Sequence, residues 1–186
     1  NPIERVIKTI NGEVQYQNVD QARVMGLELE ARQWLDRIHP KLANFQAGAN
    51  LSLVHSEVDI AEEELSKIRA FDPNAPAERD LQGQSPYVLN VDVSYINNDW
   101  GTTATMMYNV FGQRLSEISL GGTPDVVERP RGMLDLNLKQ NVWRNISLKF
   151  SAKNILDSKI EKVYPFKGRD FVSRLHSFGR TFSLGV

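Results

Sequence analysis

The chain alternates between apolar and polar residues with a period of two. Leu134, Leu136 and Leu138, for example, are separated by Asp135 and Asn137. Successive side chains of a β-strand point to opposite faces, whereas a helix places its apolar residues three or four apart. The pattern therefore predicts strands. It recurs in residues 25–32, 45–53, 87–95, 100–110, 134–139, 146–153 and 182–186.

A weaker strand over residues 3–10 brings the number to about eight, which predicts an all-β, antiparallel up-and-down meander. The connections alternate in length. The short ones are residues 36–42, 97–101 and 141–145, and the long ones are residues 11–20, 60–84, 121–131 and 166–174. Antiparallel order places all short turns at one end of the sheet. The single helical candidate, residues 60–70, is short and polar and is expected to lie within a long loop.

All three tryptophans lie near the predicted short turns. These residues are Trp34, Trp100 and Trp143, and Tyr95 lies close to Trp100 in the sequence. Aromatic rings with a polar N–H or O–H are favoured where hydrocarbon meets water. We interpret the four residues as candidates for one membrane-interface girdle of a transmembrane β-barrel.

Alternation is compatible with two architectures. A soluble β-sandwich turns its apolar faces into a core, whereas a membrane barrel turns them toward lipid and lines its lumen with polar residues. The barrel is favoured by the long predicted strands at residues 44–59 and 102–120, by the alternating loop lengths, and by the amides and hydroxyls on the polar faces. A soluble all-β binding module is the alternative.

Composition excludes several functional classes. The 186 residues carry 22 Lys+Arg against 23 Asp+Glu, a net charge of -1 that argues against a nucleic-acid partner. Cysteine is absent, which excludes thiolate metal sites, disulfides and a cysteine nucleophile. His39, His55 and His176 show no metal-ligand spacing, so no metal site, cofactor or catalytic residue is predicted. An outer-membrane barrel enzyme would need a serine beside His176, and no convincing partner is present.

Six segments, in order along the chain, resemble TonB-dependent outer-membrane receptors. Residues 18–32 resemble the N…A…GxExE strand of that family, and residues 81–90 resemble its L.GQSPY..N segment. The other four read Tyr-Asn-Val-Phe-Gly-Gln-Arg at 108–114, Leu-Asp-Leu at 134–136, Lys-Asn-Ile-Leu-Asp at 153–157 and Gly-Arg-Thr-Phe-Ser-Leu-Gly at 179–185. The order and spacing are more specific than any single segment.

The resemblance implies that residues 1–186 form a C-terminal part of a 22-stranded barrel in the outer membrane of a Gram-negative bacterium. It implies TonB-energised uptake of a scarce substrate, which could be an iron chelate, a cobalamin, a glycan or a peptide. The implied partners are outer-membrane lipid, the receptor's own plug domain, the substrate, and TonB acting through a missing N-terminal region. Since the chain carries neither plug nor TonB box and ends at Val186 without a terminal aromatic residue, we expect a truncated segment.

Two groups of site residues follow from this interpretation. The polar-face residues expected to line the lumen opposite the plug, or to satisfy one another across strands, are Asp135, Asn137, Lys139, Lys149 and Lys153. Binding residues concentrate in loops, and the substrate-binding candidates in or beside the long loops are Arg69, Phe71, Arg79, Arg169 and Phe171. The acidic run at residues 62–64 is a weaker candidate for cation binding.

Overall fold

The computed structural model describes residues 2–8, 11–19, 21–70, 72–120 and 124–186. The first seven strands are β1 (Ile3–Ile7), β2 (Val14–Asn18), β3 (Ala22–Trp34), β4 (Phe45–Asp59), β5 (Glu78–Arg79), β6 (Tyr87–Asn97) and β7 (Thr102–Phe111). The next seven are β8 (Arg114–Ser119), β9 (Val126–Glu128), β10 (Arg131–Trp143), β11 (Ile146–Lys153), β12 (Ile160–Phe166), β13 (Arg169–His176) and β14 (Thr181–Gly185). Helix α1 spans Glu62–Arg69, and two 3-10 helices span Leu35–Arg37 and Pro40–Leu42.

The long strands form one antiparallel sheet in the order β14-β11-β10-β7-β6-β4-β3, with the short β5 paired to β4. Seven of the eight predicted strands belong to this sheet, and the predicted all-β meander is confirmed. The short turns join its strands at one end, and the long connections leave it at the other. The helix predicted at residues 60–70 is present as α1 in the first long connection.

The register of the large sheet separates apolar from polar residues along neighbouring rows. One row runs through Phe45, Tyr95, Ala104, Leu138, Phe150 and Leu184. The adjacent row runs through Gln46, Ser94, Thr105, Asn137, Ser151 and Ser183. Because a shift of one residue would exchange the faces, agreement across six strands shows that the alternation specifies this pairing. The sheet has an apolar face and a polar face.

The apolar face has no cover within the described part of the chain. Leu27, Met106 and Leu184 are each at least about half exposed, and several neighbours on the same face are similar. The sheet does not close on itself, since β3 and β14 form its two edges. The chain thus presents a segment of a barrel wall with an open apolar surface.

A second sheet stands at the long-loop end, in the order β13-β12-β9-β8-β1-β2. It contains five of the six largest fully buried side chains among the described residues: Ile118, Glu4, Val6, Val126 and Val163. Its β1–β8 pair is parallel, which departs from the purely antiparallel order that the sequence predicts. The partial strand expected at residues 3–10 is β1, and it belongs to this sheet.

The long strand expected over residues 102–120 is interrupted at residues 112 and 113. The Gly112 N–H donates to the Tyr87 carbonyl at 2.9 Å, and a Cβ at Gly112 would meet the Tyr87 ring at 2.8 Å. The chain then leaves the large sheet and enters the second sheet as β8. Close packing of an aromatic ring on a glycine therefore marks the boundary between the two sheets.

None of the helices among the described residues is long and apolar enough to cross a membrane.

Candidate functional site

An ion cluster joins the first long connection to the second sheet. The Arg79 guanidinium, on β5, contacts the carboxylates of Glu4 on β1 and Glu64 on α1, with its Nη2 2.5 Å from Glu4 Oε2. The three side chains are 9%, 0% and 10% exposed, respectively. Gln17 on β2 donates from its amide to both carboxylates, at 3.3 and 3.4 Å. Three elements therefore meet at one guanidinium, and β2 joins them through the two carboxylates.

The cluster changes the protonation behaviour of its members. Burial alone would lower the pKa of Arg79, but its hydrogen bonds and its attraction to Glu4 and Glu64 raise that pKa above the ordinary value, so it stays charged. Burial raises the pKa of Asp125, and repulsion from the same two carboxylates adds to this rise. The Ser119 N–H, 2.8 Å from Asp125 Oδ1, and the positive charge of Arg79 act in the opposite direction.

The segment at residues 81–90 is structural in this fold. The side-chain amide of Gln82 accepts from the Arg5 N–H and donates to the Arg5 carbonyl, both at 2.8 Å, and also donates to the Ser116 carbonyl. Gln82 thus joins β1 to β8 as a backbone group would. The buried Ser85 hydroxyl donates to the Gly112 carbonyl at 3.1 Å, which ties this segment to the end of β7.

A cavity of about 950 Å³ opens beside the ion cluster. Gln17 and Glu64 line it next to Arg79, and helix α1 supplies Lys67 and Ile68. The remaining described residues that line it are Ala61, Glu63, Asp72, Ser119, Leu120, Pro124, Pro165, Phe166 and Lys167. Four long connections therefore converge on one space with apolar walls and charged groups.

The polar face of the large sheet carries a shallower groove of about 520 Å³. Arg32 Nη2 lies 3.5 Å from Asp92 Oδ1, and Asn109 donates to Asn90 at 2.7 Å. Ser94 and Thr105 share a hydrogen bond of 3.0 Å. These cross-strand bonds satisfy polar groups along the face that a barrel would turn toward its lumen.

The five expected lumen-facing residues share this polar face. Asn137 is paired with Ser151, Lys139 lies directly opposite Lys149, and Lys153 is paired with Thr181. The Asp135 carboxylate accepts the Asn154 N–H at 2.8 Å, so it also stabilises the turn that follows β11. The register brings these residues to one surface, and the role of that surface stays a prediction.

The loop candidates do not form one site. Arg79 is occupied by Glu4 and Glu64, and the Arg69 Nε donates to the Ala75 carbonyl at 3.2 Å. Arg169 and Phe171 are exposed on β13, and Phe171 is 52% exposed. Phe71 lies outside the described residues. The substrate-binding assignment of these candidates stays untested.

Sequence reasoning did not single out several residues of the loop-end site. Glu4, Gln82, Asp125 and Phe166 belong to this group. Glu4 lies in a poorly alternating strand, and its partner is 75 positions away. The signals that the sequence did carry were the Gln-Gly-Gln-Ser run at residues 82–85, through the family resemblance, and the candidate residues Arg79 and 62–64, of which Glu63 and Glu64 line the cavity.

The candidate girdle residues lie at the short-turn end. Trp100 and Trp143 are 71% and 74% exposed, and Tyr95 packs on Phe45 with ring centroids 5.1 Å apart. Trp34 is paired with Gln46, which places it in a polar row. The register therefore brings Tyr95 and Trp143 to the apolar face and places Trp34 on the opposite face.

The described residues contain no group of three or more His, Asp or Glu side chains that could hold a metal ion. His55 Nε2 lies 2.8 Å from Glu57 Oε1, and the His176 ring packs against Phe178 with centroids 4.4 Å apart. The side chains of His55 and His176 therefore each contact a neighbouring side chain.

One of three comparisons with known proteins identifies a family for this chain. No curated protein and no solved structure matches the chain. A family model described as "TonB dependent receptor-like, beta-barrel" matches residues 1–155, which is most of the chain. The matched residues include seven strands of the large sheet, β3 to β7, β10 and β11. The chain belongs to the TonB-dependent receptor-like β-barrel family.

Proposed function

We propose that this chain forms part of the wall of an outer-membrane transporter that takes up a scarce substrate with energy supplied through TonB. The observation that carries the proposal is the separation of an apolar face from a polar face across six paired strands. Family membership supports a receptor and transport role in general. In this reading residues 1–186 are one domain, a segment of a 22-stranded barrel of a Gram-negative bacterium.

The apolar face supports a position in lipid. A soluble monomer rarely exposes one large contiguous apolar patch, because water penalises it. Here Leu27, Leu29 and Met106 are each about half exposed on a single face. Outer-membrane lipid would cover that surface, while the polar face with its amides, hydroxyls and charges would meet the plug domain and water.

The sheet edges support a larger barrel. Within a bilayer every backbone N–H and C=O needs an internal partner, so unpaired edges at β3 and β14 would be strongly unfavourable. We infer that other strands of the same barrel pair with these edges. The segment by itself is then expected not to insert as a stable transport pore.

The experiment is an uptake assay on the organism that carries the gene. Deletion strains and strains lacking TonB would be grown on limiting amounts of iron chelates, cobalamin, glycans or peptides, with plasmid-borne wild type as the control. The proposal predicts one substrate whose use requires both proteins. Use of every substrate in the absence of either protein would refute the transport proposal. Recovery of the protein in the soluble fraction would also refute it and would favour a soluble β-sheet binding module.

Loss of a hydrolytic activity in the deletion strain, without any loss of uptake, would instead favour a barrel enzyme. A His176→Ala variant is the matched test, since His176 is the histidine that would need a serine partner in that alternative. The transporter proposal predicts full uptake in this variant.

A further inference from the structure

The cavity at the long-loop end has the size and composition of a ligand site. Its volume of about 950 Å³ lies near the top of the range of roughly 300–1,000 Å³ that accommodates drug-sized molecules. Ile68, Leu120, Pro165 and Phe166 supply apolar walls, and Phe166 is 49% exposed. A ligand with an apolar body could cover this surface.

The charges around the cavity are unbalanced. Glu63, Glu64 and Asp72 line it together with Lys67 and Lys167. The two lysines are already engaged by other lining residues, because Lys67 Nζ pairs with Glu63 Oε1 at 2.7 Å and Lys167 Nζ lies 5.2 Å from the Phe166 ring centroid. Asp72 Oδ1 accepts only a backbone N–H, that of Asn74, among the bonds described for it.

The inner side adds further negative charge. One guanidinium, Arg79, is shared by the buried carboxylates of Glu4 and Glu64. Asp125 is buried, its carboxylate accepts the Ser119 N–H next to the cavity, and it is influenced by Arg79 as well as by the same two carboxylates. Among the described residues, carboxylates therefore outnumber cationic groups around the cavity, and several of those carboxylates are shielded from water, so an added positive charge is favoured.

We propose that this cavity binds an amphipathic ligand that carries a positively charged ammonium or guanidinium group on an apolar body. The charged group lies toward Glu64 and Asp72, and the apolar body packs on Ile68 and Phe166. The inference rests on the proposed function, since it names the substrate class of the receptor. It extends that function by assigning a particular cavity and a charge preference to it.

The test uses the purified native protein that carries this chain, in detergent, without TonB. Calorimetric titration would compare three tripeptide probes of similar size, Phe-Lys-Phe, Phe-Gln-Phe and Phe-Glu-Phe, each with an acetylated amino terminus and an amidated carboxyl terminus, so that only the central side chain carries a charge. We expect the cationic probe to bind roughly tenfold or more tightly than the neutral one, because hydrogen bonds to charged groups are the stronger ones. The acidic probe should bind most weakly.

Two variants place the binding in the cavity. Ile68→Trp places a bulky indole in the apolar wall on which the ligand packs and should abolish detectable binding, whereas Ile38→Trp, at the exposed short-turn end, is the size-matched control and should bind normally. Asp72→Asn should weaken the cationic probe several-fold and leave the neutral probe unchanged, since the amide oxygen can still accept the Asn74 N–H. Asp99→Asn, in a short turn, is its charge-matched control.

Equal affinity for all three probes, absence of binding, or binding that survives Ile68→Trp would each overturn the inference. These outcomes are separate from the uptake assay. TonB-dependent uptake without any preference for cationic probes would refute only the cavity assignment. Cationic binding in the cavity without TonB-dependent uptake would refute only the transport proposal.

Discussion

The Arg79 cluster gives the sharpest prediction for the loop end. Replacing Arg79 by methionine keeps much of the side-chain volume but removes the only guanidinium that contacts both Glu4 and Glu64. Removing one partner of a buried ion pair costs about 3–5 kcal/mol, because the remaining charges are buried without compensation. The Glu4 side chain is fully buried, so water cannot solvate it without an opening of the structure.

The consequence should be local. Helix α1 is held to the second sheet by this contact, since Glu64 lies on the helix and Glu4 on β1. A loss of about 3–5 kcal/mol corresponds to an increase of roughly two to three and a half orders of magnitude in the opening of α1. Hydrogen exchange of the amides in Glu62–Arg69, measured on the native protein by mass spectrometry, should accelerate accordingly.

Two control variants test whether the faster exchange of α1 is specific to the buried Arg79 cluster. Lys67→Met breaks the exposed pair with Glu63 on the same helix and should leave the exchange of α1 nearly unchanged. A triple variant with Glu4, Arg79 and Glu64 all replaced by apolar residues should restore much of the protection. Unchanged exchange in Arg79→Met would refute the claim that this cluster holds the loop.

Three further predictions concern stability. Asp125→Asn should raise the apparent Tm at neutral pH. Because the pKa of Asp125 is raised in the folded state, wild-type stability falls as pH increases through that pKa. The difference in Tm between the two proteins should vanish at acidic pH, where the wild-type carboxyl is protonated in both the folded and the unfolded state. Gly112→Ala should lower the free energy of unfolding, measured in urea, by about 1–3 kcal/mol because the added Cβ would meet the Tyr87 ring. Gly185→Ala is the control, since nothing lies within 4 Å of an added Cβ there, and it should have no such steric effect. Asn154→Ala should cost about 2–4 kcal/mol, because this residue has a φ of 53° and its side chain bonds to the backbone of Ser158 and Gly179.

Each of these has an opposing result. A Tm difference for Asp125→Asn that is equal at all pH values would show that its ionisation does not affect stability. Equal effects of the two glycine variants would show that the contact with Tyr87 is unimportant. Full stability of Asn154→Ala would remove the structural role of the turn after β11.

The large sheet could be predicted from the sequence because its information is local. Period-two alternation identifies each strand, and hairpin connectivity then determines which strands are neighbours. Pairs such as Leu138 with Phe150 and Asn137 with Ser151 follow from this pattern once the turn at residues 144 and 145 is placed. The single helix followed from its polar, breaker-flanked sequence.

The second sheet could not be predicted in the same way. It is built from short strands in different long connections, and one of its pairs, β1 with β8, joins segments more than 100 residues apart in a parallel arrangement. Contacts such as Gln82 with Arg5 use a side chain in place of a backbone partner, which no periodicity reveals. The candidate ligand cavity lies in this region, so most of its residues were found only in the structure.

Trp34 shows that proximity to a turn does not predict which face of the sheet a residue occupies. Its position near a short turn suggested a place in the aromatic girdle, but the register puts it in the row of Gln46 and Ser94. Proximity to a turn determines the height of a residue along the sheet, whereas the parity of its position determines the face. Trp34 is an even number of residues from Glu28 and Glu30, and it therefore shares their face.

The proposed function requires that one face of the large sheet contacts lipid and that the other does not. The chain has no cysteine, so single cysteines can be introduced in pairs, Leu27→Cys with Glu28→Cys and Leu136→Cys with Asn137→Cys, into the native protein reconstituted in bilayers. Each would be labelled with an environment-sensitive fluorophore and exposed to lipids brominated on their acyl chains. We expect strong quenching at positions 27 and 136 and weak quenching at 28 and 137. Equal quenching within each pair would show that the two faces do not differ in their contact with lipid. Failure of the protein to associate with bilayers would show that neither face contacts lipid.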